Sequence, residues 1–394
     1  MPIVFAQPVG QFPPSWTSPT ETQGFRNTGQ DSRDQFGFRL DVTSDNNRIL
    51  VGTPDAWNGQ PGLAHTFTRS GDVWTQEDEL TASDGSGNDG FGGAVSISND
   101  GTKAIVGAHD ADKVYYFTRS GSVWTEQQII TGPGDNNFGY SVAISGDGNY
   151  MVIGEPLDDT GGFNAGRVHL YALVAGTWVF RQIKYMTGDG NNSNFGWSCS
   201  MSDDGFRFVA SAQNDPANSQ NGFAVVFHGN GTTWSENAKL NGYGESHTKH
   251  GFFVHMTGDG LNLVYGGILN DVHVGLQNVG AAYIYNYSGS WNLVQRIRAG
   301  DPQSDDDFGS CVWMSEDAQW VVAGAPREDT GGSGKGSAYV FKLDGTWSQV
   351  AKIQSTTATS FFGGAVIMSE GGEFILSASH SDAAPGGTVF YFKG

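Results

Sequence analysis

From Phe138 the chain reads "FGYSVAISGDGNYMVIGEP". Apolar positions alternate with small ones, a Gly-Asp-Gly step follows, and a second apolar run begins. Period two on both sides of an Asp/Gly turn predicts a strand, a tight hairpin and a second strand. The phrase returns. Phe-Gly starts stand at Phe36, Phe91, Phe138, Phe195, Phe308 and Phe362, and "HGFFVHMTGDG" supplies a seventh with His250 in the Phe position. Spacings of 47 to 58 residues have the length of a four-stranded propeller blade. Residues four and six after each Phe form one apolar face: Val95 and Ile97, Val142 and Ile144, Val312 and Met314, Val366 and Met368. The other face is mostly small, as at Ala94 and Ser96. A sheet with both faces filled needs a neighbour on each side.

The second strands read "ILVGTP", "AIVGAH", "MVIGEP", "LVYGGI" and "VVAGAP". The third strand of every unit is expected to end in an aromatic residue: Phe67, Phe117, Tyr171, Phe227, Tyr285, Phe341 or Phe392. A Gly-containing turn leads to a fourth strand opened by tryptophan at Trp74, Trp124, Trp178, Trp234, Trp291 and Trp347. That makes seven third strands and six fourth strands, with the sequence ending at Gly394. Trp16 lies 20 residues before Phe36, against 14 to 17 for the other Trp-to-Phe gaps. The pattern therefore predicts an all-β, seven-bladed β-propeller with four-stranded blades, its ring closed by an N-terminal strand that completes the last blade. Residues 1–12 are expected as an arm and 13–394 as the propeller, with blades starting near 36, 91, 138, 195, 250, 308 and 362.

Composition narrows the partners. The 394 residues include 58 glycines and carry a formal net charge of -20, which excludes the basic footprint that nucleic acid requires. The start, "MPIVFAQPVGQFPPSW", has no basic n-region and no long apolar run. Neither a secretory signal nor membrane insertion is expected. The two cysteines, Cys199 and Cys311, read as buried thiols.

These residues resemble the FG-GAP repeat family, whose best-known members are the propellers of integrin alpha subunits. "FGYSVAISGDG", "VVAGAPREDTGG", "GSAYVF" and "WTQEDELTASDGSGNDGFG" carry the resemblance, which extends over residues 16 to 394. It implies the propeller fold and leaves function open. Integrin-type repeats often hold calcium between the first two strands. Here the turns, such as "SISNDGTKA", are too short to wrap a cation with six or more oxygens, so no cofactor is expected, calcium included.

Candidate chemistry sits in the 2–3 and 4–1 connections, which share one face of a propeller. Both are rich in Asp, read chiefly as turn formers, with "GDPQSDDDFG" the one run crowded enough to suggest a cation. "HTKHGFFVH" holds His247, His250 and His255, a weak metal half-site because His250 replaces a structural Phe. Aromatic residues give the ligand-binding candidates: Trp57 in the Gly/Asn-rich loop "TPDAWNGQPG", and Tyr140 and Trp197 two residues after their Phe. Exposed rings beside Asn and Asp suit sugar binding, whereas the competing role for the strand aromatics is packing between blades. No catalytic motif occurs: GxSxG, HExxH and CxxC are all missing.

Three functions fit. The first is a non-enzymatic interaction module on an exterior surface, of a virus particle (a phage tail or capsid appendage) or of a cell, binding a host glycan or protein. The second is a carbohydrate-active lyase or hydrolase on a propeller scaffold. The third is a rigid assembly spacer docked through its N-terminal arm.

Overall fold

Small residues at fixed places in each repeat decide how the sheets stack. The computed structural model describes residue 16 and residues 19–26, 35–54, 59–134, 136–185, 191–214, 222–241, 249–268, 276–330, 334–357, 360–379 and 386–394, with the backbone alone for 249–251. It forms seven four-stranded antiparallel sheets in a ring, a β-propeller. Six blades run in simple chain order; blade three, for example, is Ser141–Ile144, Tyr150–Glu155, Arg167–Val174 and Thr177–Tyr185. Blade seven takes Ala365–Met368, Phe374–Ser379 and Thr388–Lys393 from the C-terminal end and Thr20–Phe25 from the N-terminal end. The apolar pairs Val95 and Ile97, Val142 and Ile144, Val312 and Met314, and Val366 and Met368 are all buried, while Val42 and Cys199 at the same register are half-buried.

Two motif glycines set the blade spacing. The glycine after each described Phe lies at φ between 88° and 94°, at Gly37, Gly92, Gly139, Gly196, Gly309 and Gly363, a backbone shape costly for any other residue. A Cβ at Gly52, Gly107, Gly154, Gly266 or Gly324 would come within 3.0 Å of the carbonyl oxygen of Gly92, Gly139, Gly196, Gly309 or Gly363 in the next blade. Neighbouring sheets thus touch backbone to backbone, with no room for a methyl group. Blade seven departs from the pattern, with Ala378 set against Gly37 of blade one.

The hairpin turns follow the sequence expectation. In "SNDG", "SGDG", "SDDG" and "TGDG" the hydroxyl of Ser98, Ser145, Ser202 or Thr257 donates to the Asp two residues on. The glycine that follows has φ of 62° to 67° at Gly101, Gly148, Gly205 and Gly260. One expectation needs correcting. The third strands do not end at their aromatic residue but run one to three residues beyond it, as in Leu63–Ser70 past Phe67. A β-bulge beside Phe67, Phe117, Tyr171, Phe227, Tyr285 and Phe341 absorbs an extra residue of the fourth strand and lets pairing resume.

Ring closure is as the repeat count requires. Thr20 pairs with Lys393 and Phe25 with Val389. Trp16 is 1% exposed, and its indole N–H donates to the Gly372 carbonyl at 3.0 Å. Trp234 makes the same bond to Gly205 at 3.0 Å inside blade four. Gln23 exchanges two hydrogen bonds with the Trp74 backbone of blade one, at 2.8 and 3.1 Å. Gln128 does so with Trp178 and Gln295 with Trp347. The N-terminal strand is therefore bonded into the outer ring as the others are. The arm expected over residues 1–12 lies outside the described residues.

Two stability tests follow from this geometry. Gly107→Ala should destabilise by about 1–3 kcal/mol through overpacking against Gly139. Gly134→Ala, whose Cβ would stand 4.0 Å from its nearest neighbour, should stay within about 0.5 kcal/mol. Equal denaturation midpoints for the two variants would contradict close blade contact. Removing residues 1–25 should lower the melting temperature and promote self-association, since Trp16 is lost and a strand edge opens. Calorimetry with size-exclusion chromatography reads both effects.

Candidate functional site

The first strand of each blade runs down the ring axis, so its sequence positions translate into depth. Residues two after the Phe stand at the loop end; residues eight after it lie in the hairpin turns. A cavity of about 150 Å³ occupies this axis, lined by first strands of blades one to six.

Aromatic rings gather at the loop end. Tyr140 of blade three and Trp197 of blade four lie 4.5 Å apart between ring centroids, and Phe252 of blade five continues the row 5.9 Å from Trp197. His109, in the 2–3 connection of blade two, meets Tyr140 edge-on at 5.3 Å. All four are partly exposed. Two of the three predicted ligand contacts, Tyr140 and Trp197, therefore stand side by side at the loop end of the axis. The third, Trp57, lies outside the described residues.

Sequence reasoning missed Arg39, Phe253 and Trp313 and read His255 only as part of a weak metal half-site; all four stand in the cavity wall. They stand three or five residues after their Phe or its equivalent, on the face expected to be small. In blades two and three those positions hold Ala94, Ser96, Ser141 and Ala143. The large residues of blades one, five and six fill the axis instead. The signal was present as an exception to the small-residue rule. His255 is buried and accepts a hydrogen bond from the Met314 N–H through Nδ1 at 3.3 Å. Its ring packs on Trp313 at 3.9 Å, and burial pulls its pKa down to about 3. It is a neutral packing residue. The side chains of His247 and His250 lie outside the described residues, and no cluster of three or more metal-ligating residues occurs among the described ones.

The turn end is closed by a carboxylate belt. Asp203 of blade four reaches over Gly146 to accept a hydrogen bond from the Asn99 amide of blade two at 2.9 Å. A Cβ on Gly146 or Gly258 would collide with that carboxylate, so glycine in blades three and five makes room for it. Backbone bonds continue the belt from Asp203 to Gly258 at 2.8 Å and from Glu316 to Glu370 at 3.0 Å. Glu316 accepts from the Gly258 N–H. Burial, with Asp203, Glu370 and Asp259 nearby, pushes Glu316 up to about 8. Burial, with Asp203, Glu373 and Asp45 nearby, pushes Glu370 up to about 7. Higher in the wall, Asp41 is raised to about 6 by burial although Ser96, Ile97 and Val42 all donate to it.

Many loop acids have structural partners. Asp84 accepts from Lys113 and the Tyr115 hydroxyl, both at 2.7 Å, and so ties blade one to blade two. Asp301 repeats this with Lys352 at 2.6 Å and Tyr339 at 3.0 Å. In blade three Glu155 holds Arg167 through two bonds of 2.6 and 3.0 Å and His169 at 2.5 Å, while Asp158 takes Arg167 at 3.1 Å. Burial opposes ionisation of Glu328 in blade six, but bonds from Thr330, Lys352 and Ser337 hold it down at about 2. Within the crowded "GDPQSDDDFG" run, Asp306 caps the Gln303 N–H at 2.7 Å and Asp307 faces Arg327 at 3.2 Å.

The belt yields a pH test. A carboxyl with a raised folded pKa keeps its proton in the native state after the unfolded chain has released it. Its contribution is intact below the ordinary glutamate range and is lost as pH climbs towards 8. Glu316→Gln keeps an acceptor for Gly258 without a charge. Its melting temperature relative to the unaltered chain should therefore rise from pH 5 to pH 9. A difference that stays flat over that range would show that Glu316 is not buried against its acidic neighbours.

The family model described as FG-GAP repeat matches residues 74–125, 124–171 and 291–341. No curated protein matches the chain. Among solved structures, "Kuenenia stuttgartiensis Hydrazine Synthase" is similar at 12% identity and a TM-score of 0.61, over 93% of this chain and 98% of that one. The "Structure of U3-55K" is similar at 11% identity and a TM-score of 0.63, over 97% and 100%. At such identities the likeness is one of fold alone. Three matched repeats, and the ring in which they lie, show that this chain carries FG-GAP repeats built into a seven-bladed β-propeller.

Proposed function

We propose that this chain is a non-enzymatic interaction module carried on an exterior surface, of a virus particle or a cell, where it takes a glycan or protein of its host. FG-GAP propellers commonly serve as protein-interaction modules, and the loop face here offers a defined receptor. The observation that carries the reading is the row of Tyr140, Trp197 and Phe252 at the loop end of the axis. Aromatic faces accept the CH faces of sugar rings, and nearby amides and carboxylates take hydroxyls. The loop acids with structural partners also favour binding over turnover, because Glu155 and Glu328 are held in ion pairs and hydrogen bonds within their own blades. The opposite face consists of short repeated turns with little variety to recognise a partner. Trp57, Tyr140 and Trp197 are the ligand contacts in this reading.

A glycan-array screen of the intact chain should give a defined set of bound sugars. Trp197→Ala should then weaken binding to the best of them by about 1–3 kcal/mol, as for a central aromatic anchor. Trp57→Ala run in parallel asks the same of the loop residue. Binding unchanged by Trp197→Ala, with the fold intact, would remove the axis from the site. Steady release of product from a polysaccharide would replace this reading with the enzyme.

A further inference from the structure

Charge is segregated along the axis. Arg39 is the one Lys or Arg among the residues lining the cavity, whereas Asp41, Asp203 and Glu316 are its acids. The acids lie deeper, towards the hairpin turns. Arg39 stands one residue in from the loop end, on blade one. Its guanidinium donates from Nη1 to the Phe38 carbonyl at 3.0 Å, rests 4.6 Å from the Phe38 ring centroid and lies 5.8 Å from that of Phe253. Among the described residues no carboxylate stands within ion-pair distance of it. Most of its N–H donors are therefore free for a ligand. It lines the same cavity as Tyr140, Trp197, Phe252 and Phe253 of blades three, four and five, which places it on the ring axis.

This arrangement is unusual for a chain with 41 acidic and 21 basic residues. Asp84, Asp301 and Glu328 each hold a lysine, and Glu155 holds Arg167. Asp41, two residues away, is engaged by Ser96, Ile97 and Val42 rather than by Arg39. A half-buried guanidinium held by rings and left without a counter-ion is a receptor for an anion.

We propose that the loop end of the axis selects a sugar ring bearing a carboxylate, such as a hexuronic acid. Arg39 takes the carboxylate, and the Tyr140–Trp197–Phe252 row takes the ring face. The closed turn end and the cavity volume of about 150 Å³ admit one ring from the loop side, not a threaded chain. The deeper acids keep the anionic group at the mouth. This inference rests on the glycan reading above and adds the ligand's charge.

The test compares a hexuronic-acid trimer with the same trimer after its carboxyls are reduced to alcohols, by isothermal titration at fixed salt. The unaltered chain should bind the acid at least tenfold more tightly. Arg39→Gln should abolish that preference and leave weak binding of both trimers, while Arg39→Lys should keep part of it. Melting temperature and far-UV circular dichroism establish that each variant is folded. Equal affinity for the two trimers in the unaltered chain overturns the charge selection and leaves the glycan reading standing. Undiminished acid binding by Arg39→Gln overturns the role of Arg39. Failure to bind either trimer also overturns the inference, and the glycan-array screen then decides separately whether any sugar is a ligand.

Discussion

Backbone contact between neighbouring blades, one glycine against another, is the constraint on which the molecule depends. The carbonyls of Gly92, Gly139, Gly196, Gly309 and Gly363 each face a glycine on the second strand of the preceding blade, closer than any Cβ would allow. This contact fixes how near the sheets approach at the axis. The aromatic and aliphatic side chains then fill the widening wedge outward, where Phe67, Phe117 and their equivalents pack with the tryptophans. The repeat is thus a spacing rule. Small residues at the hub and large ones at the rim let seven flat sheets become a ring.

The fold was legible because this rule is periodic. Phe-Gly, the Ser-x-Asp-Gly turn, the aromatic third strand and the tryptophan recur at near-constant intervals, and the missing seventh tryptophan pointed to Trp16. The extent of the third strands was not legible, since a bulge in the partner strand leaves no mark in the third strand itself. The site was half legible. Tyr140 and Trp197 stood out as aromatic residues at one register, yet nothing local showed that they would meet across the blade boundary. Arg39, Phe253 and Trp313 went unremarked because they break a pattern of small residues, and a pattern draws attention to what it repeats.

The two ends of the axis differ in how closely the repeats agree. At the turn end Asp203 and Asn99 join non-adjacent repeats across Gly146, which must be glycine to make room, and Glu316 bonds Gly258 of the adjacent blade. That crowding raises carboxyl pKa values, a local cost accepted where the ring is drawn shut. At the loop end the residues two after each Phe or its equivalent vary in size around the ring, from Gly93, Ser310 and Gly364 to Phe38, Tyr140, Trp197 and Phe252. Regular repeats supply a rigid frame, and recognition falls to the positions where the repeats disagree.

The strand Thr20–Phe25 has a consequence for synthesis. Its partner, Thr388–Lys393, is made only after the six intervening blades. At about 5–20 residues per second, the strand waits roughly 20–70 seconds for the sheet it belongs to. An exposed apolar strand left alone that long would recruit other nascent chains. Thr20–Phe25 reads "TETQGF", with a single large apolar residue. Its polar face later supplies Gln23 to the Trp74 backbone and Glu21 to the Thr356 N–H. The composition of this strand suits the interval on the ribosome as well as the finished ring.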